Sequence, residues 1–286
     1  MSNVRQTLSQ FRLAPHRKWG QNFLSDENIA RKIVEYCRLE SDDYVVEIGP
    51  GLGALTPVLA ARCQRLLAVE IDRGMEMPLR EALKDTPNAQ LLFADILGVD
   101  LESHIAEAFQ LEELPSFKVC GNIPYNITSP IIFSLLQSCP HLVRAVLMIQ
   151  KEVAERLLAK PGSKDYGLLT LSVRYHCDVE YLTTVSKHCF YPQPEVESAV
   201  VALTPIAGKR VKVADEAMLF EFMRACFQKR RKTMLNNCSG FFRRNKEEIA
   251  LVLDRGGISC EARPENLFLE QYAQIVDSFA AQGVGD

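Results

Sequence analysis

The chain has 286 residues, of which 47% are hydrophobic and 24% charged, and a formal net charge of −3. That composition belongs to an ordinary globular protein with room for one large domain and one small one, and it excludes collagen-like and disordered classes. No apolar run approaches the roughly 20 residues of a membrane helix, and the first ten residues lack the apolar core of a secretory signal, so a cytoplasmic protein is expected.

The elements, in chain order, begin with a basic arm. Residues 1–15 carry no motif and are expected to be a flexible extension. Arg5, Arg12, Arg17 and Lys18 supply four positive charges to the first 25 residues, which hold no acid. An amphipathic helix over 25–40, capped by Ser25 or Asp26, places Ile29, Ile33, Val34 and Cys37 on one stripe. The period then changes. Tyr44–Ile48 reads as a buried strand running into the glycine-rich turn Gly49-Pro50-Gly51-Leu52-Gly53, and a helix follows over 54–62. Further strands are expected at 66–70, 90–95, 117–120 and 145–150, with helical segments between most of them. Short apolar strands alternating with helices predict an open parallel α/β sheet covered on both faces.

After residue 165 the runs look more β-rich, and 168–175 and 198–203 are expected to form a hairpin-like pair of strands. Between them Phe190-Tyr191-Pro192-Gln193-Pro194 must be an ordered loop, because proline excludes helix. Beyond Pro205 the helical segments 220–227, 246–254 and 264–279 predict a small all-helical domain over 206–286, leaving 16–205 as the larger domain. Arg224, Lys229, Arg230, Arg231, Lys232, Arg243, Arg244 and Lys246 form a second block without an acid. Two basic blocks on an otherwise acidic chain point to a localised polyanion-binding face.

The chemistry gathers at strand ends. In the Gly49–Gly53 turn, Gly49 and Gly51 let backbone approach a ligand closely at a helix N-terminus. Glu70, at the end of the next strand, is placed to accept two ribose hydroxyls. A nicotinamide site stays open on these features, but the spacing is G-x-G-x-G and Thr56 stands where a third dinucleotide glycine would. A nucleoside cofactor without a pyrophosphate fits better, with S-adenosylmethionine (SAM) the foremost candidate. Asp95 lies on the same edge, positioned to accept from an adenine amine.

Asn122-Ile123-Pro124-Tyr125 directly follows the fourth strand. An exocyclic adenine amine is a weak nucleophile because its lone pair is delocalised into the ring. Carbonyls of Asn122 (side chain) and Ile123 (main chain) can each accept one N–H and favour a pyramidal nitrogen. Pro124 fixes the backbone, and Tyr125 offers a face on which an extruded base can stack. No general base is demanded, and no metal-ligand spacing appears. The nine cysteines are odd in number and contain no C-x-x-C pair, so reduced thiols are expected.

Five motifs occur together in order: Lys18–Leu24, Glu47–Gly51, Asn122–Tyr125, Gln150–Ala154 and Phe190-x-Pro192-x-Pro194-x-Val196-x-Ser198. With the basic Gln228–Lys232 block and helical tail, they resemble the ribosomal RNA small subunit adenine dimethyltransferase family of KsgA type, from about residue 16 to the C-terminus. The resemblance implies a class I SAM-dependent methyltransferase, a Rossmann-like sheet followed by a small C-terminal all-helical RNA-binding domain. The implied reaction is N6,N6-dimethylation of two adjacent adenosines in the 3′-terminal hairpin of small-subunit (16S) rRNA. The implied partner is a partly assembled ribosomal subunit.

The resemblance further implies that Asn22 and Leu24 cover the cofactor. Gly49 would lie on its methionine part, Glu70 on the ribose and Asp95 on the adenine. Asn122 would stand where cofactor and target amine meet, and Phe190 would contact the target base opposite Tyr125. RNA contacts are expected from Arg17 and Lys18 in the arm and from Arg224, Lys229, Arg230, Arg231 and Lys232. Nothing demands a dimer, so a monomer is expected. Competing readings are the large-subunit rRNA methyltransferase of macrolide-resistance type, a non-catalytic assembly factor on the same fold, and a DNA adenine methyltransferase.

Overall fold

The computed structural model describes residues 4–16 and 20–280, so Arg17 and Lys18 lie outside the described residues. The chain forms two compact units, one from residues up to 154 plus 179–205, the other from 155–178 plus 206 onward.

The first unit carries α1 (Val4–Gln10), β1 (Phe23–Leu24), α2 (Glu27–Tyr36), β2 (Tyr44–Ile48), α3 (Thr56–Ala60), β3 (Arg65–Glu70), α4 (Glu76–Ala82), β4 (Ala89–Phe93), α5 (Leu101–Phe109), β5 (Phe117–Asn122), α6 (Thr128–Ser138), β6 (Leu142–Gln150), β7 (Cys177–Val185), β8 (Phe190–Tyr191) and β9 (Ser198–Pro205). Seven strands form one sheet in the order β4-β3-β2-β5-β6-β9-β7, and β1 pairs with β8 apart from it. Strands β2 to β6 run parallel to their neighbours, and β9 is antiparallel to β6. From β2 the chain builds β3 and β4 on one side, then returns to the other side for β5. The strand order therefore reverses between β2 and β5, the place where open α/β sheets bind ligands beyond the strand C-termini.

The local reasons match the sequence pattern. Asp26 caps α2, its carboxylate accepting from the N–H groups of Asn28 and Ile29 at 2.9 and 3.1 Å. The stripe on α2 buries Ile33 and Val34 with Leu59, Leu66, Val146 and Met148 in one core. Central strands are buried on both faces, which explains their unbroken apolar runs. Gly121 in β5 is also dictated by packing. A Cβ there would stand 2.5 Å from the Ile48 carbonyl oxygen.

Two expectations are corrected in this unit. The N-terminal extension is not loose over its described residues 4–15: α1 buries Val4 and Leu8 with Phe23, Met75 and Leu79 in one core. The segment after Cys189 is not only loop. Phe190 and Tyr191 form β8, with Leu24 opposite Phe190 and Phe23 opposite Tyr191.

The second unit is helical, with α7 (Lys151–Leu158) leading into it, then α8 (Leu168–His176), α9 (Glu216–Gln228), α10 (Met234–Phe242), α11 (Lys246–Arg255) and α12 (Leu269–Ala280). The strand expected at 168–175 is helix α8. Its β-branched Thr170 and Val173 suggested a strand, but Leu168, Leu171 and Tyr175 follow helical spacing, and the Thr170 hydroxyl accepts from the Gly167 N–H at 3.2 Å to start the helix. The strand beside β9 is β7 instead. Residues 155–178 were expected with the larger domain, yet Tyr166, Leu171 and Tyr175 lie in the core of the helical unit with Leu219, Phe222, Met234 and Tyr272. The buried Tyr166 hydroxyl donates to the Leu267 carbonyl at 2.9 Å.

Candidate active site

At the β2–β5 switch point the structure opens a cleft with about 740 Å³ of empty space. Of the residues singled out by sequence, Asn22, Gly49, Gly51, Glu70 and Asp95 line it, and so do Asn122, Ile123, Pro124 and Tyr125. Ile48, Val69, Ile71, Ile96, Ile127 and Ile131 supply an apolar lining. Leu24 lines a smaller neighbouring pocket, together with Glu47, Pro50 and Asn122.

The glycine turn is bent by left-handed residues, with φ of +68° at Gly49 and +57° at Gly51. At Gly51 the arm also approaches so closely that a Cβ would meet the Phe23 ring at 3.0 Å. Glu70 braces this turn from β3. One of its carboxylate oxygens accepts from the Gly51 N–H at 3.0 Å, and the other accepts from the Asp72 N–H at 2.9 Å. Each oxygen keeps a further lone pair for a ligand hydroxyl. Burial pushes the Glu70 carboxyl up, while the N–H donors of Asp72 and Gly51 pull it back. Asp95 is exposed at the cleft rim and accepts from the Leu97 N–H at 3.0 Å through one oxygen.

Asn122 ends β5. Its amide nitrogen donates to the Asn22 carbonyl at 2.9 Å. That bond orients the amide and leaves Oδ1 as an acceptor with no protein donor among the described residues. The Ile123 carbonyl likewise has no protein donor there, although the Ile123 N–H is used by Met148 at 3.0 Å. Two adjacent carbonyl acceptors, the second in a residue only 1% exposed, thus stand next to Tyr125 in the chain without a protein donor among the described residues. The half-buried Tyr125 shares a hydrogen bond with Ser198 at 2.8 Å.

Three site residues escaped the sequence reading. Gln21 donates to Asp72 at 2.8 Å and accepts from the His16 N–H at 2.8 Å, tying the arm to the loop that holds Glu70. Glu47 is 1% exposed, and one of its carboxylate oxygens has no partner. Burial pushes its carboxyl up to about 8, the Thr56 hydroxyl pulls it down, and the charge of Glu70 adds to the rise. Burial thus favours the neutral, protonated form of Glu47. Ser198 is the third. All three stand inside quoted motifs, which were the available signal.

Phe190 does not reach the cleft. It is 5% exposed and packed in the core with Leu24, Ile33 and Val200. Its side chain is already covered, so it presents no free face opposite Tyr125.

Of the expected basic contacts in the second unit, Arg224, Lys229, Arg231 and Lys232 are exposed. Arg230 is half-buried and committed internally, pairing with Glu265 at 3.4 Å and donating to the Ser163 carbonyl at 3.3 Å.

No helix among the described residues is long and apolar enough to cross a membrane.

Comparison with known proteins adds to this geometry. A family model described as ribosomal RNA adenine dimethylase matches residues 12–281. Among curated relatives, a ribosomal RNA small subunit methyltransferase A of Levilactobacillus brevis is 39% identical, covering 99% of this chain and 96% of its own length. The protein of the same description from Moorella thermoacetica is 43% identical, over 92% of each. Among solved structures, a dimethyladenosine transferase from Plasmodium falciparum has a TM-score of 0.73 at 27% identity, covering 91% of this chain and 98% of its own. The 23S rRNA methyltransferase ErmE has a TM-score of 0.69 at 27% identity, covering 91% of this chain and all of its own.

Proposed function

The chain belongs to the ribosomal RNA adenine dimethylase family, and from that premise we propose that it dimethylates N6 of two adjacent adenosines in the 3′-terminal hairpin of small-subunit rRNA, with SAM as methyl donor. The observation that carries this reading is the pair of free carbonyl acceptors at Asn122 and Ile123, next to Tyr125 in the chain. An adenine amine presents two N–H groups, and two acceptors at adjacent residues match them.

The cleft fits the cofactor. Glu70 offers lone pairs to ribose hydroxyls, Asp95 keeps an oxygen for an adenine amine, and the isoleucines provide apolar walls for the base. Gly49 and Gly51 supply the left-handed backbone that bends the turn, and both line the cleft with main chain. When bound, SAM supplies the methyl group as an electrophile.

The chain's own residues do the rest. Tyr125 stacks the extruded base and Pro124 holds its backbone. Oδ1 of Asn122 and the Ile123 carbonyl accept the amine hydrogens, which draws the nitrogen lone pair out of conjugation and points it into the cleft. The methylated aminium is acidic and releases its proton to water, so the site needs no dedicated base. Phosphate contacts come from Arg224, Lys229, Arg231 and Lys232, with Arg17 and Lys18 of the arm. The same reading takes the enzyme as a monomer that acts in the cytoplasm on the rRNA of a partly assembled subunit.

The test is a labelled-SAM assay on unmethylated small subunits, large-subunit RNA and duplex DNA, analysed as nucleosides. Dimethyladenosine from the small subunit alone, lost on Asn122→Ala, is the expected result. Label in large-subunit RNA or DNA overturns the substrate. Absence of label with the particle still bound overturns the enzyme reading and leaves an assembly factor.

A further inference from the structure

The motif ending in Ser198 has no chemistry of its own in the function above, yet it touches a residue that lines the cleft. Ser198 is the first residue of β9 and lies opposite Gln150, the last residue of β6, in antiparallel register. Just before it, the Glu197 carbonyl accepts from the Lys151 N–H at 3.1 Å, and the two side chains pair at 2.9 Å. The Gln150–Ala154 and Phe190–Ser198 motifs therefore join at this point, and together they hold the Ser198 hydroxyl on rigid sheet backbone. That hydroxyl is 0% exposed, and Tyr125 is its hydrogen-bond partner at 2.8 Å.

Tyr125 is anchored differently. It opens a short 3-10 turn at Tyr125–Ile127, outside the sheet and after Pro124. A phenol ring on such a turn has two free side-chain torsions, and a stacking platform for in-line transfer must be restricted in both. Fixing the far end of the ring sets the first torsion. The second, whose axis runs through the phenol oxygen, is limited by the in-plane preference of the phenol hydrogen bond and by the packing of the half-buried ring. Water cannot replace the partner, because a released Ser198 hydroxyl would be buried and unsatisfied. Were packing the only demand on position 198, alanine would meet it.

We propose that Ser198 is a positioning residue for methyl transfer: its buried hydroxyl pins the Tyr125 phenol and holds the ring as a fixed platform for the target base. This rests on the reading of Tyr125 as the base platform. The two motifs flanking β6 and β9 then serve the chemistry by placing one oxygen atom.

The experiment compares Ser198→Ala, Tyr125→Phe, the double variant and Tyr125→Ala with the parent. It measures kcat and KM on unmethylated small subunits, SAM affinity by calorimetry, and thermal melting. Ser198→Ala and Tyr125→Phe should each lower kcat about tenfold, the loss of one buried hydrogen bond with its partner left unpaired. SAM affinity should stay within about twofold, since neither atom is assigned to the cofactor. The double variant should be no slower than either single variant, because the second change removes a group already idle. Wild-type kcat in both single variants, or losses that multiply in the double, overturns the proposal. Should Ser198→Ala melt early, Tyr125→Phe decides alone, because it deletes a single oxygen from a half-buried ring. Tyr125→Ala separates the two readings. Full activity there overturns Tyr125 as the platform, whereas its loss with both single variants unimpaired overturns only the role of Ser198.

Discussion

Asn122 and Asn22 are 100 residues apart in sequence, and the side-chain amide of the first donates to the main-chain carbonyl of the second at 2.9 Å. This bond makes the arm part of the site. It spends the donor end of the Asn122 amide on the arm and leaves the acceptor end without a protein donor among the described residues. Removing the side chain should therefore disable chemistry more than folding. Asn122→Ala is expected to reduce methyl transfer by about 100-fold or more, the range seen when one transition-state hydrogen-bonding group is lost. Stability should fall by only about 1 kcal/mol, for one hydrogen bond. Nucleoside analysis and a denaturant melt of the same variant check both halves.

The arm is held from its outer side by α1. Val4 and Leu8 pack on Phe23, whose ring lies against Gly51. Leu8→Ala should destabilise by about 2 kcal/mol, the lower end for truncating a buried leucine. Deleting residues 1–13 should in addition weaken SAM binding, because Phe23 loses its cover beside the glycine turn. Calorimetric titration of the truncated chain with SAM measures this, and an unchanged affinity would mean that α1 only stabilises the fold.

Glu47 makes stability depend on pH. Its carboxyl titrates near 8 in the folded chain against 4.5 for an ordinary glutamate, chiefly because it is buried. The folded state thus holds a proton that the unfolded state has lost. The resulting stabilisation is complete below pH 4.5 and disappears as pH rises through about 8. Melts of the ligand-free protein should show the decline across this window, and Glu47→Gln, which cannot ionise, should flatten it. An equally steep profile in the variant would sink the assignment.

In the basic block the structure separates two kinds of arginine. Arg231 and Lys232 are exposed, so Arg231→Glu and Lys232→Glu should weaken binding to the small ribosomal particle and reduce the salt slope by about one phosphate contact each. Their melting temperatures and SAM affinities should match the parent. Arg230→Glu breaks the contacts to Glu265 and Ser163, so it should also lower the melting temperature. Filter binding across a salt series, beside thermal melts, distinguishes the two classes.

Much of this protein is legible in its sequence, because much of it is local. Apolar runs marked the parallel strands β2 to β6, the glycine turn marked the switch point, and Asn122–Tyr125 marked the chemistry, since each is written within a few consecutive residues. Helix α8 was misread because Thr170 and Val173 favour strands, and the packing that overrides them comes from Leu219, Phe222 and Tyr272, far along the chain. Phe190 carries the composition of a base contact, but its position opposite Leu24 in β8 buries it. The same holds for Gln21 on Asp72, Asn122 on Asn22 and Ser198 on Tyr125. Sequence determined which residue types stand at the strand ends and what chemistry they can do. Only the tertiary structure decided which of their atoms meet, because a hydrogen bond demands two atoms within about 3 Å, and no spacing in the chain reports that.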